Sequence, residues 1–468
     1  MLPERILFML KAGADKEPGL KRNVNLFQAV MYGVGLILGA GIYVLIGDVA
    51  GIAGNAMWMS FIVAAVIAAF TGLSYAELSS MFPKSAAEYV FVKKAFRNNL
   101  GAFIAGWLIT FVAIVSAAAV AVGFSWYLSS FFQQLDPVLS AVALVLVLSL
   151  VNFIGIRESV WMNTMFTLIE LAGLALIVTA AVLLGSFSGV DYYATPPATS
   201  SPSSSFSLSA GAILSAAGLA FFAYFGFENL ANIAEEAENA SRTIPRALVI
   251  SVAVTTGVYI IVAASAITLL GWERLSSSDA PLALAAEQTF GRAGVVTLST
   301  IALFATANTV LMMLIAGSRI MFGMAREHAL PSTLGRIHPT TRTPWIAVVL
   351  TMLLAIAVVV LSQGSISVIA NISVFAIFIV YALVNLALIW LRYKQPELKR
   401  PFRSPVKIGW FPVLAGLGFV TSLSMLTQFD STTMLAGIVA VAAGLASYAA
   451  LKKYGKRQFQ AQSKHESR

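Results

Sequence analysis

Two carboxylates in this chain stand where carboxylates are costly. Glu170 lies within WMNTMFTLIELAGLALIV (161–178) and Glu228 within AFFAYFGFENLANIA (220–234), and both stretches are otherwise almost wholly free of charge. An acid inside a membrane span marks a functional cavity by default, because hydrocarbon penalises it. A carboxyl held away from water also binds a proton more readily, so such a group can couple proton movement to other events. The plainer alternative for either residue is a hydrogen-bonded structural acid. A second pattern is GVGLILGAGIYVL (33–45), in which Gly33, Gly35, Gly39 and Gly41 weaken what should be a helix. Gly39-Ala40-Gly41 falls in the middle of the apolar run, and Gly226 sits just before Glu228. A helix broken at mid-membrane frees amides on one side and carbonyls on the other. Freed amides with their partial positive charge bind a carboxylate, and freed carbonyls accept from an ammonium. The pattern is therefore suited to clamping a zwitterion. The same glycines also suit close helix packing, and Gly33 and Gly35 are read that way.

The elements that must position these groups are apolar throughout. The chain has 468 residues, of which 59% are hydrophobic and only 11% charged, against roughly a quarter charged in soluble domains. Twelve apolar runs are long enough to span a bilayer, at about 25–47, 56–80, 101–130, 138–154, 161–185, 209–231, 246–271, 294–320, 345–362, 366–391, 409–428 and 433–451. No soluble domain fits between them, so residues 1–468 read as a single all-α integral membrane domain. The N-terminal segment 1–23 does not look like a secretory signal; Ile6 to Leu10 reads as a short helix lying on the membrane surface. Of the 30 Lys and Arg residues, all but Arg274 and Arg292 fall on one side when the spans alternate. By the positive-inside rule that side, with both termini, is cytoplasmic. The net charge of +9 thus fixes topology and meets lipid headgroups, and no nucleic acid partner is expected. The loop SFSGVDYYATPPATSSPSSSFSL (186–208) faces outside and reads as a flexible Ser/Pro-rich connector. Five spans precede it. The two interrupted spans, first and sixth, hold corresponding places in two five-helix halves, 25–185 and 209–391, the pattern of an inverted-repeat transporter. Two additional helices (409–451) and a tail (452–468) follow.

Absences bound the chemistry. With no cysteine, neither a thiolate site nor a disulfide-linked partner can exist, and His328, His338 and His465 all fall in loops or the tail. Glu170 and Glu228 lie on different helices without a nucleophile–base pattern, so no enzyme, cofactor or metal site is expected.

Several ordered motifs now resemble the amino acid–polyamine–organocation superfamily of transporters, over almost the whole chain. GAGIYVL (39–45) is similar to the family's first-helix pattern. YAELSSMFPKSAAEYVFVKKAF (75–96), FFAYFGFENLANIAEEAENASRTIPRA (221–247), SRIMFGMAREHALP (318–331) and PELKRPFRSP (396–405) are similar to four further family segments in the same order. The resemblance implies twelve transmembrane helices, two inverted five-helix repeats plus two C-terminal helices, with the first and sixth interrupted. It implies a substrate site in which the backbone of Ala40 and Gly41, flanked by Gly39 and Ile42, holds an α-carboxylate. The carbonyl of Ile37, with those near Phe222 and Phe225, would hold the α-ammonium. Phe222 would act as a lid, and Gly226 and Glu228 would serve the sixth-helix break and its gating or protonation. Thr110, Ile114 and Ala117 would line the side-chain pocket.

Departures from the family pattern matter. Ala40 stands where a hydroxyl residue is usual, so backbone amides must suffice. Ala86-Ala87 replace paired glycines, and Asn239-Ala240 replaces Asn-Pro. Glu170 aligns with a position that holds a lysine in several proton-coupled members; a glutamate there leaves a proton site, a partial cation site with Thr306, Asn308 and Thr309 nearby, or exchange without ion coupling. The third span carries no acid, which leans the substrate toward neutral amino acids. The expectation is a cell-membrane carrier for amino acids, working with protons in a lipid bilayer. Its rivals are an obligate exchanger, a carrier of cationic amino acids or polyamines, and an amino acid sensor.

Overall fold

The computed structural model describes residues 24–466 apart from 85, 130, 133, 155–158, 185, 186, 188, 197–204, 235, 236, 279, 342 and 363–365. The segment 1–23, with its expected surface helix, lies outside the described residues. The chain is built from helices: α1 (Leu26–Ala53), α2 (Met57–Met81), α3 (Ala87–Phe96), α4 (Asn99–Ser129), α5 (Pro137–Ile154), α6 (Ser159–Leu184), α7 (Ser205–Tyr224), α8 (Asn229–Asn232), α9 (Ala240–Ser276), α10 (Pro281–Arg326), α11 (Trp345–Leu361), α12 (Ile366–Lys394), α13 (Val413–Leu426) and α14 (Ser431–Glu466). Among the described residues, nine helical stretches are long and apolar enough to cross a membrane, and α11 and α13 are shorter apolar helices. The first stretch, Leu26–Met81, takes in both the first and second expected spans; they meet at the single 3-10 turn Gly54–Ala56. This is a multi-pass membrane protein.

Local chemistry sets the helix ends. α1 begins with a reciprocal cap, in which the Gln28 amide donates to Asn25 Oδ1 at 2.9 Å and the Asn25 amide donates to Gln28 Oε1 at 3.1 Å. The expected spans 246–271 and 294–320 stop short of α9 and α10, which continue through non-helical glycines, Gly271 and Gly291. Apolar character ends near those glycines, where the backbone kinks before helix resumes. A two-stranded antiparallel hairpin, β1 (Lys407–Ile408) with β2 (Phe411–Pro412), precedes α13 and had no counterpart in the sequence reading.

The two irregular helices, α1 and α7, pack on one another, and α2, α6, α9 and α10 pack against α1; α4 packs on α10 and α12. The peripheral helices leave apolar faces outward. On α5, Leu139, Leu146, Leu150 and Ile154 are exposed, as hydrocarbon-facing side chains should be.

Within the connector, the described stretch 190–196 departs from the flexible reading. Asn55 Nδ2 donates to the Asp191 carbonyl at 2.9 Å, Trp58 Nε1 donates to that of Tyr192 at 3.0 Å, and the Tyr192 and Thr268 hydroxyls meet at 2.7 Å. Trp58 and Tyr193 stack edge to face. The aromatic pair Tyr192-Tyr193 anchors a stretch whose composition is otherwise that of a linker.

At the other end, two motif segments meet around one buried acid. Glu77 of α2 is fully buried and pairs with Arg392 of α12 through two hydrogen bonds. It also accepts from the Ser404 amide at 2.8 Å and faces Arg400 Nε at 3.3 Å. Arg400 donates in turn to the carbonyls of Leu391, Gln395, Pro396 and Leu398. The fork of Arg392 matches a carboxylate bidentately, which ties α2, α12 and the loop before β1 together.

Candidate functional site

The backbone of α1 leaves helical geometry at Gly39, where φ is −17° and ψ −129°. α7 ends at Tyr224, residues 225–228 form turns, and helix resumes as α8. Gly226 has φ +122°, a conformation in which a side chain would be strained. Both expected interruptions are present, at the residues the sequence indicated.

The two breaks touch. A Cβ on Gly41 would lie 2.3 Å from the Cα of Ala223, and one on Gly39 would lie 2.0 Å from Thr309 Oγ1. Glycine is therefore required in α1 for contact with α7 and α10. Gly33 and Gly35 are equally close to Ser251 and Thr167 side chains, which assigns them to helix packing.

Freed carbonyls appear on both sides. The Tyr259 hydroxyl of α9 lies against the Ile37 carbonyl and 2.8 Å from that of Ala223. In continuous helices these oxygens would accept from amides four residues on. A phenol has one hydrogen to donate, so the hydroxyl serves only one of the two carbonyls at a time. An ammonium group carries three donors and could satisfy both.

A narrow cavity opens here, lined by Leu36, Ile37, Gly41, Ser116, Val120, Phe222, Phe225, Thr309 and Met313. No ionisable side chain is among them. The rings of Phe222 and Phe225 lie 6.0 Å apart. Of the residues the sequence singled out, the cavity gathers Ile37, Gly41, Phe222, Phe225 and Thr309. Gly39 adjoins it through Thr309, and Ile42 is buried without lining it. Ala40 occupies the α1 break between Gly39 and Gly41. The third-span expectation falls on a neighbouring stripe: Ser116 and Val120, one helical turn apart, line the cavity, whereas Thr110, Ile114 and Ala117 do not. Thr110 instead donates to the Gly106 carbonyl at 2.7 Å. Ser116 has a buried hydroxyl without a hydrogen-bond partner; a lone polar residue in FVAIVSAAAVAVG is the signal that could have located it.

The two acids are separate from the cavity lining. Glu228 is fully buried and accepts three hydrogen bonds: from the Gly226 amide at 3.1 Å, Tyr381 Oη at 2.8 Å and Asn229 Nδ2 at 3.2 Å. It braces the α7 break against α12. Glu170 is equally buried, yet neither carboxyl oxygen has a hydrogen-bond partner. Its polar neighbour is Asn308 of α10, whose Oδ1 is also unpartnered while its Nδ2 donates to Asn163 at 3.2 Å. Asn308 thus stands beside a carboxyl whose two oxygens are both unpartnered. Tyr43 Oη donates to the Glu170 carbonyl at 2.9 Å, linking α6 to α1 just past the break. Thr306 is bonded back to its own helix, its hydroxyl donating to Ala302 at 2.7 Å.

A family model described as amino acid permease matches residues 24–444. The chain is 29% identical to the branched-chain amino acid permease BcaP of Bacillus subtilis, over 94% of this chain and 95% of that protein. It is 28% identical to a methylthioribose transporter of Bacillus subtilis, with 93% and 94% covered. With the serine/threonine exchanger SteT of the same organism it shares 26%, over 94% and 98%. With two helices broken against one another around a small cavity, and with this likeness running along almost its entire length, the chain belongs to the amino acid permease family of the amino acid–polyamine–organocation superfamily.

Proposed function

We propose that the protein is a secondary active carrier that moves neutral amino acids across the cell membrane by alternating access, coupled to protons. The observation that carries this reading is the cavity at the two helix breaks, which pairs backbone carbonyls with a wall that holds no charge. The α-carboxylate would meet the amides of Ala40 and Gly41, and the α-ammonium would displace the Tyr259 hydroxyl from the Ile37 and Ala223 carbonyls. The side chain would rest against Val120, Met313 and Phe222. A cationic side chain or a polyamine would find no counter-charge in that wall. The names of two relatives, a branched-chain permease and a serine/threonine exchanger, support a neutral substrate. The fold would hold twelve spans, in two inverted five-helix repeats plus two, with both termini cytoplasmic. Glu170 would hold the coupling proton, because neither of its buried carboxyl oxygens is hydrogen-bonded and an unpaired charge buried there would be costly.

The test is uptake by proteoliposomes of labelled leucine, valine, serine, threonine and arginine. An inward proton gradient should drive accumulation of a neutral amino acid into empty vesicles. Flux only into preloaded vesicles would make the protein an obligate exchanger. Preference for arginine would restore the cationic reading, and binding without flux would indicate a sensor.

A further inference from the structure

Beneath the α7 break lies a third buried carboxyl that the proposed transport site does not use. Glu88 stands in the first turn of α3, a ten-residue helix between spans. It is fully buried, and neither carboxyl oxygen has a hydrogen-bond partner. α3 is docked on α8, where the Ala87 amide donates to Asn232 Oδ1 at 2.9 Å. Asn232 and the Tyr75 hydroxyl of α2 face the Glu88 carboxyl, and Glu228 is the N-cap residue of α8, the helix on which α3 is docked. Tyr75 itself has a buried hydroxyl without a partner, and its ring lies 5.8 Å from that of Tyr381. The other charged and titratable groups on packed elements are committed elsewhere. Arg392 of α12 is held by Glu77, Tyr127 of α4 donates to the Tyr43 carbonyl, and Lys93 of α3 pairs with Glu327 at 2.8 Å. Tyr89, also on α3, faces Lys93.

Two neighbouring carboxylates in a dry site cannot both be ionised without strong repulsion, and they titrate as a pair. Their partners differ. Glu228 is hydrogen-bonded by three donors at 2.8–3.2 Å, which suit a carboxylate; Glu88 is faced by Tyr75 and Asn232, yet neither of its oxygens is hydrogen-bonded, which favours the neutral acid.

We propose that Glu88 and Glu228 form a proton-sharing pair, in which Glu88 holds the proton while α3 is docked beneath the α7 break and Glu228 carries the charge. Loss of that proton places two buried negative charges together and drives α3 off α8, which opens the side of the molecule that α3 covers. The pair extends the proposed carrier reading by a titrating site distinct from Glu170. Burial pushes the Glu88 carboxyl up to about 8 from its ordinary range. Between the ordinary value of 4.5 and about 8 the folded protein therefore binds more protons than the unfolded chain. The stabilisation from this site is full at low pH and is lost as pH rises through that window.

Infrared titration of the purified, lipid-reconstituted full chain tests the pair without any substrate. The wild type minus Glu88→Gln difference should contain a protonated-carboxyl C=O band that disappears as pH rises toward and through about 8. In Glu228→Gln the same band should disappear at a pH lower by roughly one unit or more, because the neighbouring charge is gone. Tyr75→Phe leaves both acids in place and should shift the midpoint, which keeps the test open should Glu88→Gln fail to fold. A band that survives in Glu88→Gln, or a midpoint that neither Glu228→Gln nor Tyr75→Phe moves, would overturn the pair. Such a failure would leave the uptake assay, and with it the carrier reading, standing or falling separately.

Discussion

Gly41 carries two demands at once, since its amide belongs to a freed backbone segment and its missing side chain admits Ala223. Gly41→Ala should cost about 1–3 kcal/mol of stability through overpacking, read as a lower Tm, and should abolish amino acid binding. Normal affinity in that variant would show that α1 and α7 need not touch. Tyr259→Phe removes a donor that two carbonyls share. Leaving a buried acceptor unsatisfied costs about 1–3 kcal/mol, so the empty protein should melt earlier, and saturating substrate should recover part of the loss. An unchanged Tm without substrate would mean that water serves those oxygens equally well. Glu170→Gln keeps the side-chain shape and removes the titration. It should abolish the acceleration of uptake by an inward proton gradient while binding persists, and unchanged proton dependence would remove Glu170 from coupling. Of these residues, Gly41 and Glu170 were legible from type alone, because a glycine cluster and an acid both conflict with an ordinary apolar span. Tyr259 was not, because a tyrosine in VTTGVYIIVAAS fits such a span and gains meaning only from the carbonyls opposite it.

At the scale of elements, the cluster around Glu77 explains why two distant motif segments have the residues they do. YAEL supplies the acid, and the stretch from Arg392 to Ser404 supplies two guanidinium groups and an amide. Glu77→Gln leaves the buried Arg392 without its counter-charge. Breaking one partner of a buried pair costs about 3–5 kcal/mol, enough to lower Tm markedly and to loosen α2 from α12. A melt within a degree or two of wild type would show that the charge of Glu77 adds no net stability to the buried cluster. Span positions were readable because length and hydropathy are local properties. Helix ends were less so: α9 and α10 continue past their apolar cores, and only backbone geometry at Gly271 and Gly291 marks the change. The connector at 190–196 was misread for a related reason, since its aromatic anchors dock on Trp58, Asn55 and Thr268, all remote in sequence.

At the scale of the whole molecule, three buried acids lie on or beside elements that must move if access alternates: Glu170 on α6, Glu228 at the α7 break and Glu88 on α3. Of these three, Glu228 has both carboxyl oxygens hydrogen-bonded in this conformation, and the other two have neither. Proton occupancy and helix position are then linked through the same contacts, and a ligand can shift such an equilibrium only by its differential affinity for the two states. A neutral amino acid bound at the breaks should therefore move the titration of the protein as a whole. Adding saturating leucine during a pH-stat measurement should produce net proton uptake or release near neutral pH, and Glu170→Gln should diminish it. No exchange of protons in the wild type would separate substrate binding from protonation.

By itself the sequence determined the membrane class, the approximate spans, the positions of both helix breaks and the two intramembrane acids. Each of these is a conflict or a periodicity readable within one segment. Tertiary structure decided the rest. Which stripe of α4 faces the cavity depends on the rotation of one helix against another, so Ser116 and Val120 line it where Thr110, Ile114 and Ala117 were expected. It also brought Tyr259 to the carbonyls at the breaks and Glu88 beneath Glu228, and of Thr306, Asn308 and Thr309 it set Asn308 beside Glu170. The physical reason is common to all of them: a side chain's chemistry is set by what faces it, and the facing groups come from helices hundreds of residues away or from the far side of a break.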